Sequence, residues 1–420
     1  MTAPSLLTPP RLEEAAHLIL RVGRLLLGSG ADTGHALRRI ETMAAALGVE
    51  ADVFISSERL LLTVRAGAAF RTKLSHPLTG AGISMSRLGR LDAVVDRLVD
   101  GSIDLGEAER RLDAVEAAPP LYPGWLVVAA VGATTACLAR LFGADWPVVA
   151  AAFLAGIAST GLRRLLARRG ANPFGAAFLT AFASGLLGAL ALKAVPRAVA
   201  TPCVAAAGMI LVPGVPLING ISDVAGGHIE IGLARLASGT ITILAIGFGL
   251  FLAAALAGDA LPVSSGAGAV PVVQDVLVSG LAAFGYALLF DVPLRAVWAC
   301  ILCGMAGHGL RTALGAAGIE IATGTLVCAT LVGLLAHRFG AHRRLPPVTF
   351  AFPGVVAMIP GSYALRAAIG SLQLMALGPA SPGALVAETL SLAIAAMVMT
   401  AAVGTGLVLA AALQHVRPVR

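Results

Sequence analysis

The sequence predicts a membrane α-helical fold: ten transmembrane helices as two five-helix inverted repeats, preceded by a small α+β cytoplasmic domain. Three observations predict it. Apolar residues make up 57% of the chain and charged residues 13%, about half the charged share of an ordinary soluble protein. The charges are unevenly placed: residues 1–120 hold 14 Lys/Arg and 15 Asp/Glu, whereas residues 121–420 hold 16 and 8. Short motifs also recur about 148 residues apart.

From Leu12 to about Leu47 apolar residues fall at helical spacing, with a break at Gly28-Ser29-Gly30. Asp32 or Thr33 can cap the second helix and Gly48 can end it. Residues 50–77 change period. Val53-Phe54-Ile55, Leu60 to Val64 and Ala69 to Leu74 are short apolar runs split by polar residues or Gly, which predicts strands of a small sheet. Ser86–Val99 and Leu105–Val115 return to an amphipathic helical pattern, with Gly101 between them. The domain so defined, 1–118, is near-neutral and long enough for a core of its own. Pro119-Pro120 and Pro123-Gly124 mark the linker.

Ten apolar segments follow, near 125–142, 146–161, 174–193, 198–212, 231–257, 273–290, 294–309, 315–336, 348–360 and 384–413. Several are shorter than the roughly 20 residues of a straight crossing, and the fourth and ninth run into Pro-Gly. Leu141-Phe142 recurs as Leu289-Phe290, 148 residues on. At the same offset of 148, Gly156-Ile157-Ala158 with Gly161-Leu162-Arg163 recurs as Gly304-Met305-Ala306 with Gly309-Leu310-Arg311. Val212-Pro213-Gly214 recurs as Ile359-Pro360-Gly361, 147 residues on. Three matches in one register predict a duplication, with repeats at 119–258 and 259–420.

Five spans per copy is an odd number, so the second copy enters the membrane the opposite way up. Loop charge gives the orientation. With both termini cytoplasmic, Arg163, Arg164, Arg168 and Arg169 fall inside, as do Arg338, Arg343, Arg344 and the Arg417/Arg420 tail. The stretch 258–272 has no Lys or Arg and falls outside; Lys193 and Arg197 stand against the rule.

The basic surplus beyond residue 120 fits cytoplasmic loops against an anionic leaflet, not nucleic acid. The five cysteines lie in apolar segments and form no secreted disulfide framework. No basic and apolar leader opens the chain, which predicts direct insertion into a bacterial inner membrane. No motif asks for a cofactor or a metal. Cys300-Ile301-Leu302-Cys303 offers two thiols without further ligands and reads as small residues at a helix contact. No pattern sets an oligomeric state.

Pro213-Gly214-Val215-Pro216 follows a short apolar run, and Leu217 to Ile231 contains Asn219, Asp223, Gly226, Gly227, His228 and Glu230. The prolines lack N–H groups, so a helix here breaks and frees carbonyls. Broken backbone at membrane depth needs protein or a water-filled cavity to satisfy it. Pro360-Gly361-Ser362-Tyr363 would approach from the other side. Surface turns at both places are the plain alternative. Asp223, Glu230, Arg235, Asp275, His308, Glu320 and Glu388 are ionisable within or beside spans, where charge is costly. Glu388, deep in the last span, and Glu320, in the eighth, are candidates for a coupling proton if burial raises their pKa; Asp275 reads as a helix-end marker, and Glu320 can do the same. In the first domain Ser29, Asp32 and His35 stand three apart, which invites a hydrolase triad. A helix cap with solvated neighbours fits that spacing better. His76-Pro77 and Thr79-Gly80 read as a turn.

Taken together these residues resemble the threonine/serine exporter family of bacteria. In the first domain the resemblance lies in Leu26-Leu27, Gly30-Ala31-Asp32-Thr33, Glu41, Leu47-Gly48 and the 53–65 strand region. In the membrane part it lies in Val212 to Gly220, with Asp223, Gly227, Gly232 and Arg235. It covers nearly the whole chain. It implies a secondary transporter in a lipid bilayer, exporting threonine and serine from the cytoplasm in exchange for protons. On that reading substrate sits between the two broken helices, with Pro213, Gly214, Asn219, Asp223 and Arg235 on one wall and Pro360 and Gly361 on the other. Asn219 would hydrogen-bond substrate, Asp223 would engage its ammonium group or a proton, and Arg235 would pair with carboxylate or Asp223. Split relatives are associated with dicarboxylate export, so an exporter of C4-dicarboxylates such as succinate stays open. So does a membrane-anchored hydrolase built on Ser29, Asp32 and His35. The duplicated breaks argue against a ligand sensor.

Overall fold

The computed structural model describes residues 9–78, 82–193, 206–258 and 270–415, and places an α+β domain on one end of a helical bundle. Helix α1 (Pro9–Gly28) buries Leu12, Ala16, Ile19, Val22 and Leu26, whose spacing of three and four residues keeps them on one face. Helix α2 (Thr33–Ala46) begins where the Asp32 carboxylate accepts the His35 N–H, the role of a cap. Strands β1 (Glu50–Ile55), β2 (Leu60–Ala66) and β3 (Ala69–Leu74) form an antiparallel sheet in that order. Leu60, Leu62 and Val64 alternate into the core from β2. The β2–β3 turn places Gly67 at φ 60° in its first central position, as a type II′ hairpin requires. Helices α3 (Met85–Val99) and α4 (Leu105–Ala117), capped by Ser84 and Asp104, complete the domain. Arg21 and Arg24 pair with Glu116, tying its first helix to its last.

Beyond the linker, eight described helices are long and apolar enough to cross a membrane. In the first half these are α5 (Gly124–Leu141), α6 (Trp146–Arg168) and α7 (Pro173–Lys193). The short α8 (Gly214–Ala225) follows, and then the long α9 (Ile229–Ala257). The second half has α10 (Val272–Leu289), α11 (Leu294–Ala316) and α12 (Ile321–Arg343). Next come α13 (Val348–Val355), a 3-10 turn (Val356–Met358) and α14 (Gly361–Leu377), and last α15 (Gly383–His415). The segments either side of Pro360 are bent by 47° and together make a ninth possible span. Most of the expected fourth span lies outside the described residues; 206–209 is helical and leads into Pro213-Gly214. Also outside them are Thr79-Gly80, Arg197, Cys203, most of 258–272 and the Arg417/Arg420 tail.

Helix bounds repeat along the chain. Helices α5 and α10 have 18 residues each and α6 and α11 have 23 each, and both pairs start 148 residues apart. Helix α12 likewise starts 148 residues after α7. The first helices of the two halves touch through small residues: a Cβ on Gly285 would stand 1.9 Å from Thr134 Oγ1.

The N-terminal domain reaches the helix ends around Asp223, Asp291 and Leu345, which therefore share one face of the bundle. Asp291, between α10 and α11, adopts φ 56°, a left-handed conformation uncommon outside glycine. Its surroundings hold it there. The carboxylate accepts hydrogen bonds from the Ser84 and Ser86 hydroxyls and the Leu121 N–H, and its backbone carbonyl accepts the Ser86 N–H.

Candidate functional site

The two Pro-Gly breaks have the same local geometry. Pro213 has φ −77° and ψ 69°, and Pro360 has φ −76° and ψ 46°. In each, the following glycine donates its N–H to the residue before the proline: Gly214 to Val212 O at 2.8 Å, Gly361 to Ile359 O at 2.7 Å. Each is an inverse γ-turn, whose central φ proline supplies ready-made. Helices α8 and α14 start from these turns without a side-chain cap. The breaks also abut. A Cβ on Gly214 would lie 2.6 Å from Ile359 Cδ1, and one on Gly361 3.4 Å from Val212 Cγ2. Beside them is a cavity of about 520 Å³, to which Val212, Leu217 and Ile221 contribute from the first break and Ile359, Pro360 and Gly361 from the second. Its hydroxyls, Thr240, Ser371 and Thr400, each donate to a carbonyl four residues back on their own helix.

Asn219, Asp223 and Arg235 do not line this cavity. They face the N-terminal domain instead. Asp223 is buried and accepts the Thr33 N–H at 2.9 Å on one oxygen and Arg235 Nη1 at 2.6 Å on the other. Asn219 donates its side-chain N–H to the Gly30 carbonyl at 3.0 Å, and Arg235 Nη2 reaches Ala31 O at 3.5 Å. The Gly30–Thr33 turn thus offers one backbone N–H and two carbonyls to a carboxylate, an amide and a guanidinium of the bundle. Gly30 has φ 107°, a conformation that a side chain would resist. A cavity of about 240 Å³ lies alongside, between Asp32, His35 and Arg38 of the domain and Asn219, His228 and His337 of the bundle. The sequence reading put these residues and Pro360-Gly361 in one site. The structure divides them, because Leu217 and Ile221 occupy one face of α8 and Asn219 and Asp223 the other.

The other expected residues are scattered. Glu320 is exposed and caps α12; backbone N–H groups of Ala322 and Thr323 hold its carboxyl below the usual range, so the burial expected of a proton carrier is missing. Glu388 lies near the start of α15 rather than deep within it, half-buried and 3.4 Å from Arg366. Ser29 is buried with its hydroxyl unpartnered, Asp32 serves as a cap, and His35 contacts Asp92 at 3.1 Å, so no triad forms among them. Cys300 and Cys303 are both buried, and Cys300 donates to Thr349 O.

The structure adds one cluster. Asp275, in the first turn of α10, is not a plain end marker: it is buried, with His308 Nδ1 at 2.7 Å and Thr312 Oγ1 at 2.8 Å. Arg311 Nη2 lies 2.7 Å from His308 Nε2, and Arg311 Nη1 donates to Met358 O at 3.2 Å, just before the second break. The spacing of His308, Arg311 and Thr312, three and four residues apart on one helix, was the available signal.

Comparison with known proteins follows the same division of the chain. A family described as putative threonine/serine exporter matches residues 17–257, and one described as Threonine/Serine exporter, ThrE, matches residues 275–413. The probable succinate transporter subunit YjjP of Escherichia coli is 32% identical over 246 residues, 57% of this chain and 94% of its own length. Its namesake in Klebsiella aerogenes is 29% identical over 245 residues, covering 57% and 93%. A probable threonine/serine exporter of Mycobacterium tuberculosis is 27% identical over 368 residues, 83% of this chain and 68% of that protein. No solved structure shows a significant match.

Proposed function

We propose, from the premise that this chain belongs to the threonine/serine exporter family, that it exports threonine and serine from the bacterial cytoplasm in exchange for protons. The observation that carries this reading is the pair of matching breaks meeting inside the bundle beside a cavity of about 520 Å³. Uncapped helix starts present free N–H groups and a positive dipole end to a carboxylate, and broken transporter helices use them so.

The chain is read as ten spans in two inverted repeats, with the N-terminal domain and both termini in the cytoplasm. Equal helix bounds 148 residues apart and the twin γ-turns support the duplication. The Arg-rich loops support the orientation. Substrate then passes from the inner mouth, at Asn219, Asp223 and Arg235, to the breaks at Pro213-Gly214 and Pro360-Gly361. At the mouth Asp223 takes the ammonium group, Arg235 the carboxylate and Asn219 the hydroxyl. In the present conformation the backbone of Gly30–Thr33 fills those positions with a similar set of donors and acceptors, so the N-terminal domain closes the mouth until substrate replaces it.

The similarity to probable succinate transporter subunits supports a second reading, a C4-dicarboxylate exporter in which Arg235 and the helix starts face the anion. Competition decides between them. Unlabelled serine should block exchange of labelled threonine in vesicles while succinate leaves it intact. Block by succinate alone would assign the dicarboxylate.

A further inference from the structure

We propose that Asp275, His308 and Arg311 form a proton-coupling site, in which a proton taken up by His308 is reported to the second helix break through Arg311. The inference rests on the transporter reading above and adds to it the residues of coupling. Hydrogen-bond chemistry fixes the resting state. Arg311 can only donate, so His308 Nε2, 2.7 Å from its Nη2, must accept and carry no proton. The imidazole is then neutral, with its proton on Nδ1 directed at Asp275 Oδ1, 2.7 Å away. Asp275 accepts a second hydrogen bond from Thr312 on its other oxygen, an arrangement that satisfies a carboxylate. Asp275 and Arg311 balance in charge, as buried ions in a membrane bundle must.

A proton can enter this chain at His308 Nε2, whose lone pair now accepts from Arg311. Once Nε2 is protonated it no longer accepts, and two cations face each other where a hydrogen bond stood. Arg311 must move, and its other nitrogen is bonded to Met358 O, two residues before Pro360. Protonation therefore loosens a tether on the break. When the proton leaves Nε2, Arg311 regains its acceptor and the tether re-forms. Few titratable or charged groups face this pair. Asp275 comes from α10, and Arg311 from its own helix; Cys328 of α12 and Tyr363 of α14 face Arg311. The segment 348–358 has no titratable side chain.

Two further observations agree. The matching positions 148 residues earlier are Val127, Thr160 and Arg163, so the scaffold is built in the first half without the acid or the imidazole. The cluster also lies away from the N-terminal domain. Asp275 is fifteen residues, roughly 22 Å of helix, from the Phe290 carbonyl that the domain holds. It is thus near the side from which protons enter.

Two measurements test the site. In vesicles, His308→Gln should abolish substrate accumulation driven by a pH gradient while counterflow of labelled against unlabelled threonine persists. Gradient-driven accumulation at the wild-type level in that variant would overturn the proposal. The second does not depend on the substrate. Ser362→Cys, in a background with the native cysteines replaced by alanine, places a thiol at the break for maleimide labelling. The labelling ratio of this parent to its His308→Gln derivative should rise on acidification. A ratio that stays flat with pH would sink the coupling site, whether or not threonine is carried. A rising ratio without transport of any substrate would leave the site standing and remove the exporter.

Discussion

At Asp223 one carboxylate joins three segments: α8, which carries it, Arg235 of α9 and the Thr33 N–H of the N-terminal domain. Replacing Asp223 with Asn leaves the Arg235 guanidinium in a largely buried place without its counter-ion, a change that costs on the order of 3 kcal/mol. Transport should fall to background and thermal stability in detergent should drop, measured together on protein of checked expression. Thr33 allows a cleaner cut. It is the first residue of α2, where proline fits a helix and removes only the N–H, and Asp32 before it already has the extended backbone (φ −72°, ψ 163°) that proline demands. Thr33→Pro should keep α2 folded yet raise hydrogen exchange at residues 29–32. Unchanged exchange there would mean that this hydrogen bond does not hold the domain down.

Among elements, helix packing depends on missing side chains. A Cβ on Gly249 of α9 would stand 2.5 Å from Phe178 O and 3.0 Å from Phe182 N, backbone atoms of α7 that cannot rotate away. Gly249→Ala should therefore cost about 1–3 kcal/mol and lower the melting temperature, whereas Gly161→Ala, with open space around it, should not. In the N-terminal domain, burial pushes Glu116 up, but hydrogen bonds from Arg21 and Arg24 outweigh it and hold the carboxyl below its usual value. Its folded pKa is depressed, so its contribution is complete above the ordinary value of about 4.3 and is lost as pH falls through the folded one. Glu116→Gln should lower the domain's stability at neutral pH, and the two melting curves should converge in acid. Much of this level was legible beforehand. The helices and strands of the first domain and the two matching breaks are written in local spacing and in proline. The two faces of α8 were also legible: Leu217 and Ile221 are four apart, as are Asn219 and Asp223, and a two-residue step turns about 200° around a helix. Pairings between distant segments were not. Nothing near Asp275 in the sequence points to His308, thirty-three residues on, and nothing near Asp223 points to Thr33.

For the whole molecule, the proposed function joins a helical bundle with two abutting breaks to a domain that closes its inner mouth. Sequence composition separated these parts without showing that the Gly30-Ala31-Asp32-Thr33 turn meets Asn219, Asp223 and Arg235. The most direct test is uptake of labelled threonine into inverted membrane vesicles, with and without an imposed proton gradient, for wild type and Asp223→Asn. Proton-coupled export requires that accumulation need the gradient and disappear in the variant. Wild-type vesicles that hold a measured gradient and still accumulate no threonine would contradict it.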